Sequence, residues 1–262
     1  MPPPSHAQPR SEAPVAVVTG AAQGIGRRTA EVLAARGYAL ALFDRQPMAG
    51  NGDTVTAEGD VTDEGAVTAF GARVRDRYGR VDVLVNNAGI AHIAPLEETT
   101  LAQWRMVMDV NLTGPFLLCR EFARDMLAAG AGAIVNIASV AGLRGIADRA
   151  AYNTSKHGLV GLTRTLAAEW GGRGVRVNAV CPGWVKTEMD VASQASGAYG
   201  DADITEHVPM GRVAFPDDVA QAVAFLADPA RSGFVNGVAL SVDGGWHADG
   251  SWQALRLAAR DR

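Results

Sequence analysis

Short, nearly unbroken apolar runs alternate along this chain with longer stretches in which apolar residues recur every three or four positions. The runs at 15–19, 39–43, 81–85, 133–137, 175–180 and 238–242 predict strands, and a weaker run at 54–57 predicts one more after the second. Runs without polar alternation mark strands that are buried on both faces, as in a parallel sheet covered by helices. The periodic stretches near 24–36, 63–78, 100–129, 150–170 and 216–227 predict helices. Strand and helix in turn predict an α/β fold: a doubly wound, Rossmann-like parallel sheet of seven strands with helices on both faces, in a single domain.

The rhythm breaks in three places. Residues 1–13 carry most of a proline-rich start and predict a tail without structure of its own. The domain proper is expected over 14–246. Within it, 186–212 is polar, holds Gly197, Gly200 and Gly211, and has no clear strand. A long irregular segment in a compact domain is either a lid or a passive surface excursion. Residues 247–262 form a C-terminal extension in which Trp252, Leu255 and Leu257 could dock on a neighbour or fray.

Composition narrows the classes. At 262 residues, 48% hydrophobic and 20% charged, the chain can bury a large core. A formal net charge of -4 gives no electrostatic footprint for nucleic acid. Neither a secretory h-region nor an 18-residue apolar span occurs, so no signal peptide, no membrane helix and a cytoplasmic location are expected. Cys119 and Cys181 sit far apart in apolar surroundings, which predicts buried free thiols in a reducing compartment; no metal-ligand spacing is present.

Two patterns carry chemistry. The first is 19–26, Thr-Gly-Ala-Ala-Gln-Gly-Ile-Gly, between the first strand and the first helix. Gly20, Gly24 and Gly26 let the backbone turn tightly and approach a pyrophosphate, and the helix N-terminus offers it free N–H groups. Asp44 ends the second strand, 20 residues after Gly24, where a carboxylate can take the adenosine ribose hydroxyls and repel a 2′-phosphate. NAD is therefore favoured over NADP, although Arg45 is the kind of residue that holds a 2′-phosphate. Asp60, at the end of the next strand, could hold the adenine edge or stand on the N-cap side of the following helix.

The second pattern is Tyr152 and Lys156, four residues apart and so on one helix face. An ammonium beside a phenol favours phenolate, which predicts a tyrosine pKa below its usual value of about 10. Such a tyrosine could take a proton from an alcohol or give one to a ketone.

Taken together with Asn86-Asn-Ala-Gly89, Asn111, Ser139 and Pro182-Gly183, these motifs resemble the short-chain dehydrogenase/reductase family from about Val15 to Gly245. The resemblance implies a hydride transfer between a nicotinamide cofactor and a secondary alcohol or ketone. It makes Tyr152 the acid/base and Lys156 its partner and a contact of the nicotinamide ribose. Ser139 would hold the substrate oxygen, and Asn111 a water leading from Lys156 to solvent. It sets Gln23, Ile25, Val61, Asn87, Ala88 and Gly89 along the cofactor. Pro182, Gly183 and Val185 would lie at its nicotinamide end, and Thr187 would reach the carboxamide or the pyrophosphate. A homotetramer built through the long helices is usual in such proteins.

The substrate is less legible. Arg144 and Arg149 fall between Ser139 and Tyr152, in a loop that borders the pocket in this fold. Either could take a substrate carboxylate in a bidentate grip, pointing to a hydroxy acid or sugar acid, or Arg149 could pair with Asp148 or with a neighbouring subunit. His92 could face the pocket or solvent. Two other functions stay open. One is an NADPH-dependent reductase of carrier-bound 3-oxoacyl groups, with Arg120 and Arg124 docking the carrier. The other is a catalytically silent NAD-sensing protein.

Overall fold

Seven parallel strands stand in the order β3-β2-β1-β4-β5-β6-β7: β1 (Val15–Thr19), β2 (Ala39–Asp44), β3 (Val55–Glu58), β4 (Val83–Asn86), β5 (Gly132–Ile137), β6 (Val175–Pro182) and β7 (Ala239–Val242). The computed structural model describes residues 11–48, 50, 52–194 and 200–251. The expected docking residues Trp252, Leu255 and Leu257, and most of the expected tail, lie outside the described residues.

Period-two geometry explains the unbroken apolar runs. Val15 and Val17 of β1 enter one core layer, while Ala16 and Val18 enter the layer on the opposite face. The first layer closes against α2 (Glu64–Tyr78) and α4 (Gly114–Ala129) through Phe70, Val74, Leu118 and Phe122. Phe43 stacks on Phe70 at 4.9 Å between ring centres. The second closes against α1 (Gly24–Ala35) and α8 (Pro216–Ala227) through Leu33, Val219 and Val223.

Helix boundaries follow local chemistry. Asp63 caps α2 by accepting from the N–H groups of Gly65 and Ala66, and Gly79 ends it at φ 64°. Asp60 is therefore not the cap; its carboxylate accepts from Thr62 and faces Arg45 at 3.7 Å. The predicted helix over 100–129 is interrupted. α3 (Leu101–Met108) starts on a Thr100/Gln103 capping box, passes through one π turn, Asp109–Thr113, and continues as α4. Single π turns inside helices concentrate at functional sites.

The segment 186–212 is less irregular than its sequence implies. It contains α6 (Glu188–Gln194) and α7 (Asp201–His207), and Lys186 Nζ joins them by donating to Asp201 at 2.6 and 2.8 Å. A parallel bridge between Val185 and Ala214 closes its base. The short α9 (Pro229–Ser232) precedes β7. The remaining long helix, α5 (Ala150–Trp170), crosses behind β5 and β6 and carries Tyr152 and Lys156.

Candidate active site

Strand order turns at β1 and β4, and open α/β sheets bind ligands in the crevice beyond the strand ends at such a point. A cavity of about 530 Å³ lies there. Its walls include every residue expected to touch cofactor or substrate except Gly26, Asn111 and Arg144.

At one end stands the glycine turn. Gly20 and Gly24 have φ of 62° and 53°, a region that disfavours any side chain. A Cβ on Gly20 would stand 2.8 Å from the Ala88 Cα, so the loop after β4 presses directly on the turn. Asn87 staples the two together: its Nδ2 donates to the carbonyls of Thr19 and Gly20, and Thr19 Oγ1 accepts from the N–H groups of Asn87 and Ala88. Gly26 lies beneath the turn, where a Cβ would be 2.0 Å from the Gly20 carbonyl oxygen. It shapes the turn from behind rather than facing the cavity.

Asp44 is held at the turn's edge, accepting from the Ala22 N–H and from Gln46 N–H, each at 2.9 Å. The start of α6 overhangs the turn, with Thr187 and Glu188 beside Gly24 and Glu188 3.7 Å from Arg27. A cradle bare of side chains, free N–H groups at the start of α1 and a fixed carboxylate at its edge fit a dinucleotide.

At the other end Ser139, Tyr152 and Lys156 share one wall. Ser139 follows β5; its Oγ accepts from the Ala141 N–H and hydrogen bonds the Tyr152 side chain. Lys156 is buried, donates to the Ile137 carbonyl at 2.8 Å and stands 5.6 Å from the Tyr152 ring centre. Burial pushes its pKa down to about 8.

The phenol behaves differently from the sequence expectation. Burial is the largest influence on Tyr152 and raises its pKa; the Ser139 hydrogen bond and then the Arg149 charge pull it back. Lys156 is not among the groups that lower it in this arrangement; its Nζ donates to the Ile137 carbonyl.

Asn111 does not reach the cavity wall. The π turn sets its side chain against the loop after β4, where Oδ1 accepts from the Ile90 N–H and Nδ2 donates to the Ile90 carbonyl and to Ser155 Oγ. It remains close to Lys156: a Cβ on Gly89 would lie 3.3 Å from Asn111 Oδ1 and 3.4 Å from Lys156 Nζ.

The two arginines separate. Arg149 lines the cavity with its guanidinium 5.4 Å from the Trp184 ring centre, and among the described residues it makes no ion pair. The alternative pairing with Asp148 is therefore not made. Arg144 lies outside, over Trp246 at 4.9 Å and donating to its carbonyl. His92 is not on the cavity wall. Trp184 and Trp246 line the cavity although the motifs did not single them out; each directly follows a glycine motif, Pro182-Gly183 and Gly244-Gly245, which was the available signal.

Comparison with known proteins agrees with this geometry. A family profile described as "Enoyl-(Acyl carrier protein) reductase" matches residues 20–247. D-threitol dehydrogenase of Mycolicibacterium smegmatis is 42% identical over 90% of this chain and 94% of its own. Cis-4-hydroxycyclohexanecarboxylate dehydrogenase of Sinomonas cyclohexanicum is 43% identical over 89% and 96%. The crystal structure of a putative NAD(P)-dependent gluconate 5-dehydrogenase from Beutenbergia cavernae, with bound NADP at low occupancy, superposes with a TM-score of 0.83 at 44% identity, covering 91% of this chain and 99% of that one. The chain belongs to the short-chain dehydrogenase/reductase family and is a nicotinamide-dependent oxidoreductase of secondary alcohols and ketones.

Proposed function

We propose that the protein is an NAD-linked dehydrogenase that oxidises a secondary alcohol, with Tyr152 as the proton acceptor. The observation that carries this reading is the shared wall of Ser139, Tyr152 and Lys156, in one cavity with the glycine turn and Asp44. The nicotinamide cofactor supplies hydride acceptance when bound. The chain's task is to position the alcohol and remove one proton. Ser139 holds the carbinol oxygen near the Tyr152 phenol, the Arg149 charge favours the phenolate, and Lys156 would meet the nicotinamide ribose. Asn111 keeps the loop at Ile90 and Ser155 in register beside Lys156.

Asp44 supports NAD over NADP, since its carboxylate is fixed where a 2′-phosphate would be repelled. Arg45 stands 3.7 Å from Asp60, a carboxylate that would compete with a 2′-phosphate for its charge. Gln23, Gly24 and Thr187 would meet the pyrophosphate, and Pro182, Gly183 and Val185 the nicotinamide end. The segment 186–212 would act as the lid of the 14–246 domain.

Arg149 favours an acidic substrate. It is a cation without a carboxylate partner among the described residues, at the N-terminal edge of the helix that carries Tyr152. A hydroxy acid or sugar acid suits it, as cis-4-hydroxycyclohexanecarboxylate and gluconate suit the two relatives named for them. A neutral polyol, as in the D-threitol enzyme, is the competing class. Reduction of carrier-bound 3-oxoacyl groups is less well supported, because Arg120 is already paired with Glu64. A silent NAD sensor has no need of the intact Ser139–Tyr152–Lys156 wall.

The exposed Met106 and Phe116 on α3 and α4 support assembly through the long helices, as a homotetramer. Buried free cysteines support a cytoplasmic location, and among the described residues no helix is long and apolar enough to cross a membrane.

The test is NAD and NADP reduction by purified protein against polyols, sugar acids, hydroxy acids and cyclic alcohols. NAD reduction by wild type that is lost in Tyr152→Phe supports the reading; equal turnover in Tyr152→Phe sinks it.

A further inference from the structure

Trp246 reaches the cavity from the far end of the chain. After β7, Asp243 folds the backbone back: its Oδ1 accepts from the Gly245 N–H at 3.0 Å and its Oδ2 from the His247 N–H at 2.7 Å. Arg144 then holds Trp246 from outside, its guanidinium 4.9 Å from the ring centre and donating to the Trp246 carbonyl at 3.2 Å. Trp246 meets Trp184 at 6.2 Å between ring centres, tilted by 51°. Trp184 in turn lies beneath Arg149, three residues before Tyr152. Arginine, indole, indole and arginine thus form one continuous row that ends next to the proposed acid/base.

The rest of this end of the cavity is also apolar. Ile146 lines it and is fixed to the start of α5, because Asn153 Nδ2 donates to its carbonyl at 2.7 Å. Ile93 lines it and is held to the same loop through the Ala94 N–H, which donates to the Asp148 carbonyl at 2.8 Å. A hydroxyl-rich open chain placed here would give up water hydrogen bonds; the indole N–H groups and the Arg149 fork can donate in their place, but indole, isoleucine and guanidinium side chains offer its hydroxyl protons no acceptor. A carbon ring would instead bury apolar surface against broad, rigid faces.

We propose that Trp246 and Trp184 are specificity-determining residues that select a secondary alcohol carried on a carbocyclic ring, and that Arg144 is a positioning residue acting through Trp246. The proposal rests on the dehydrogenase reading above and narrows its substrate class: a carbocyclic hydroxy acid satisfies both Arg149 and the indole row, and an open-chain sugar acid satisfies Arg149 alone. The ring packs on the two indoles while its carbinol oxygen meets Ser139 and Tyr152. Arg144 touches no substrate; it holds the C-terminal segment so that Trp246 stays in the wall.

The probes are cyclohexanol and 2-propanol, each with saturating NAD, read as kcat and KM separately. Wild type is expected to favour cyclohexanol in kcat/KM. Trp246→Ala lowers kcat/KM for cyclohexanol at least tenfold more than kcat/KM for 2-propanol, mainly through KM. Trp246→Phe restores most of the loss. Arg144→Ala raises KM for cyclohexanol in the same direction without changing kcat for 2-propanol, and Arg144→Lys recovers part of it. Equal losses for both alcohols in Trp246→Ala, or a wild type that does not distinguish them, overturn the proposal and leave the dehydrogenase reading standing. No NAD reduction with either alcohol also overturns it. The dehydrogenase reading then falls only if the polyols and acids fail too.

Discussion

Lys156 Nζ donates to the main-chain carbonyl of Ile137 at 2.8 Å, at the very end of β5. This one bond ties the helix that carries Tyr152 to the sheet edge that presents Ser139. It also takes the ammonium out of water without giving it a carboxylate, and burial lowers its pKa to about 8.

That shift makes stability depend on pH. The folded-state value lies below the 10.5 of the free side chain, so between about 8 and 10.5 the unfolded chain binds more protons at this group than the folded one. The contribution of Lys156 to stability therefore rises with pH across that window, by up to roughly 3 kcal/mol. Urea midpoints measured at intervals from pH 7 to 10.5 should rise for wild type relative to Lys156→Met. Parallel curves would show that the lysine is not titrating there.

Tyr152 leads to a second expectation. Its pKa is raised by burial and pulled back by the Ser139 hydrogen bond. Oxidation that needs phenolate should therefore climb on the alkaline side of neutrality, while ketone reduction falls. Ser139→Ala removes a group that lowers the pKa, so its kcat/KM profile for oxidation should move to higher pH. It should also lose about 10²-fold or more in rate, the usual cost of a mispositioned proton transfer. A rate loss with an unmoved profile would separate substrate holding from phenol tuning.

Gly26 faces away from the cavity, yet its substitution should abolish cofactor binding. A Cβ there would lie 2.0 Å from the Gly20 carbonyl oxygen and 2.4 Å from Asn87 Nδ2, the two groups that fasten the turn to the loop after β4. Neither can yield without opening the turn. Gly26→Ala should lose NAD binding by calorimetry and lower the melting temperature. Native-like affinity in this variant is the outcome that sinks the account.

Asp44 controls cofactor choice in the proposed reading. Replacing it with serine removes the charge but keeps a hydrogen-bonding group between the N–H groups of Ala22 and Gln46. The ratio of kcat/KM for NADP over NAD should rise about tenfold or more, or roughly 1.4 kcal/mol of discrimination. An unchanged ratio would shift attention to Arg45.

Arg149 can be tested against Arg144. Arg149→Gln should reduce kcat/KM for hydroxy acids relative to neutral alcohols at least tenfold, and it should move the oxidation profile to higher pH by removing a charge that lowers the Tyr152 pKa. Arg144→Gln should do neither. Matching behaviour of the two variants would place both at the substrate.

The central strands were legible in the sequence because they are buried on both faces. Such burial favours unbroken apolar runs, as in β1, where four apolar residues and Thr19 are all fully buried. The five long helical stretches were legible from their period, though α6, α7 and the π turn were not, and the glycine turn from the steric need for bare backbone between strand and helix. Spacing alone also put Tyr152 and Lys156 on one face of α5.

Tertiary structure decided what depends on contacts distant in sequence. The π turn at Asn111 exists through its bonds to Ile90 and Ser155, up to 44 residues away. Arg144 and Arg149 are equivalent as letters, but Trp246 captures one and the cavity receives the other. The direction of the Tyr152 shift turned on burial, which no spacing of residues reports, because desolvation is set by everything that packs around a group and not by its neighbours along the chain.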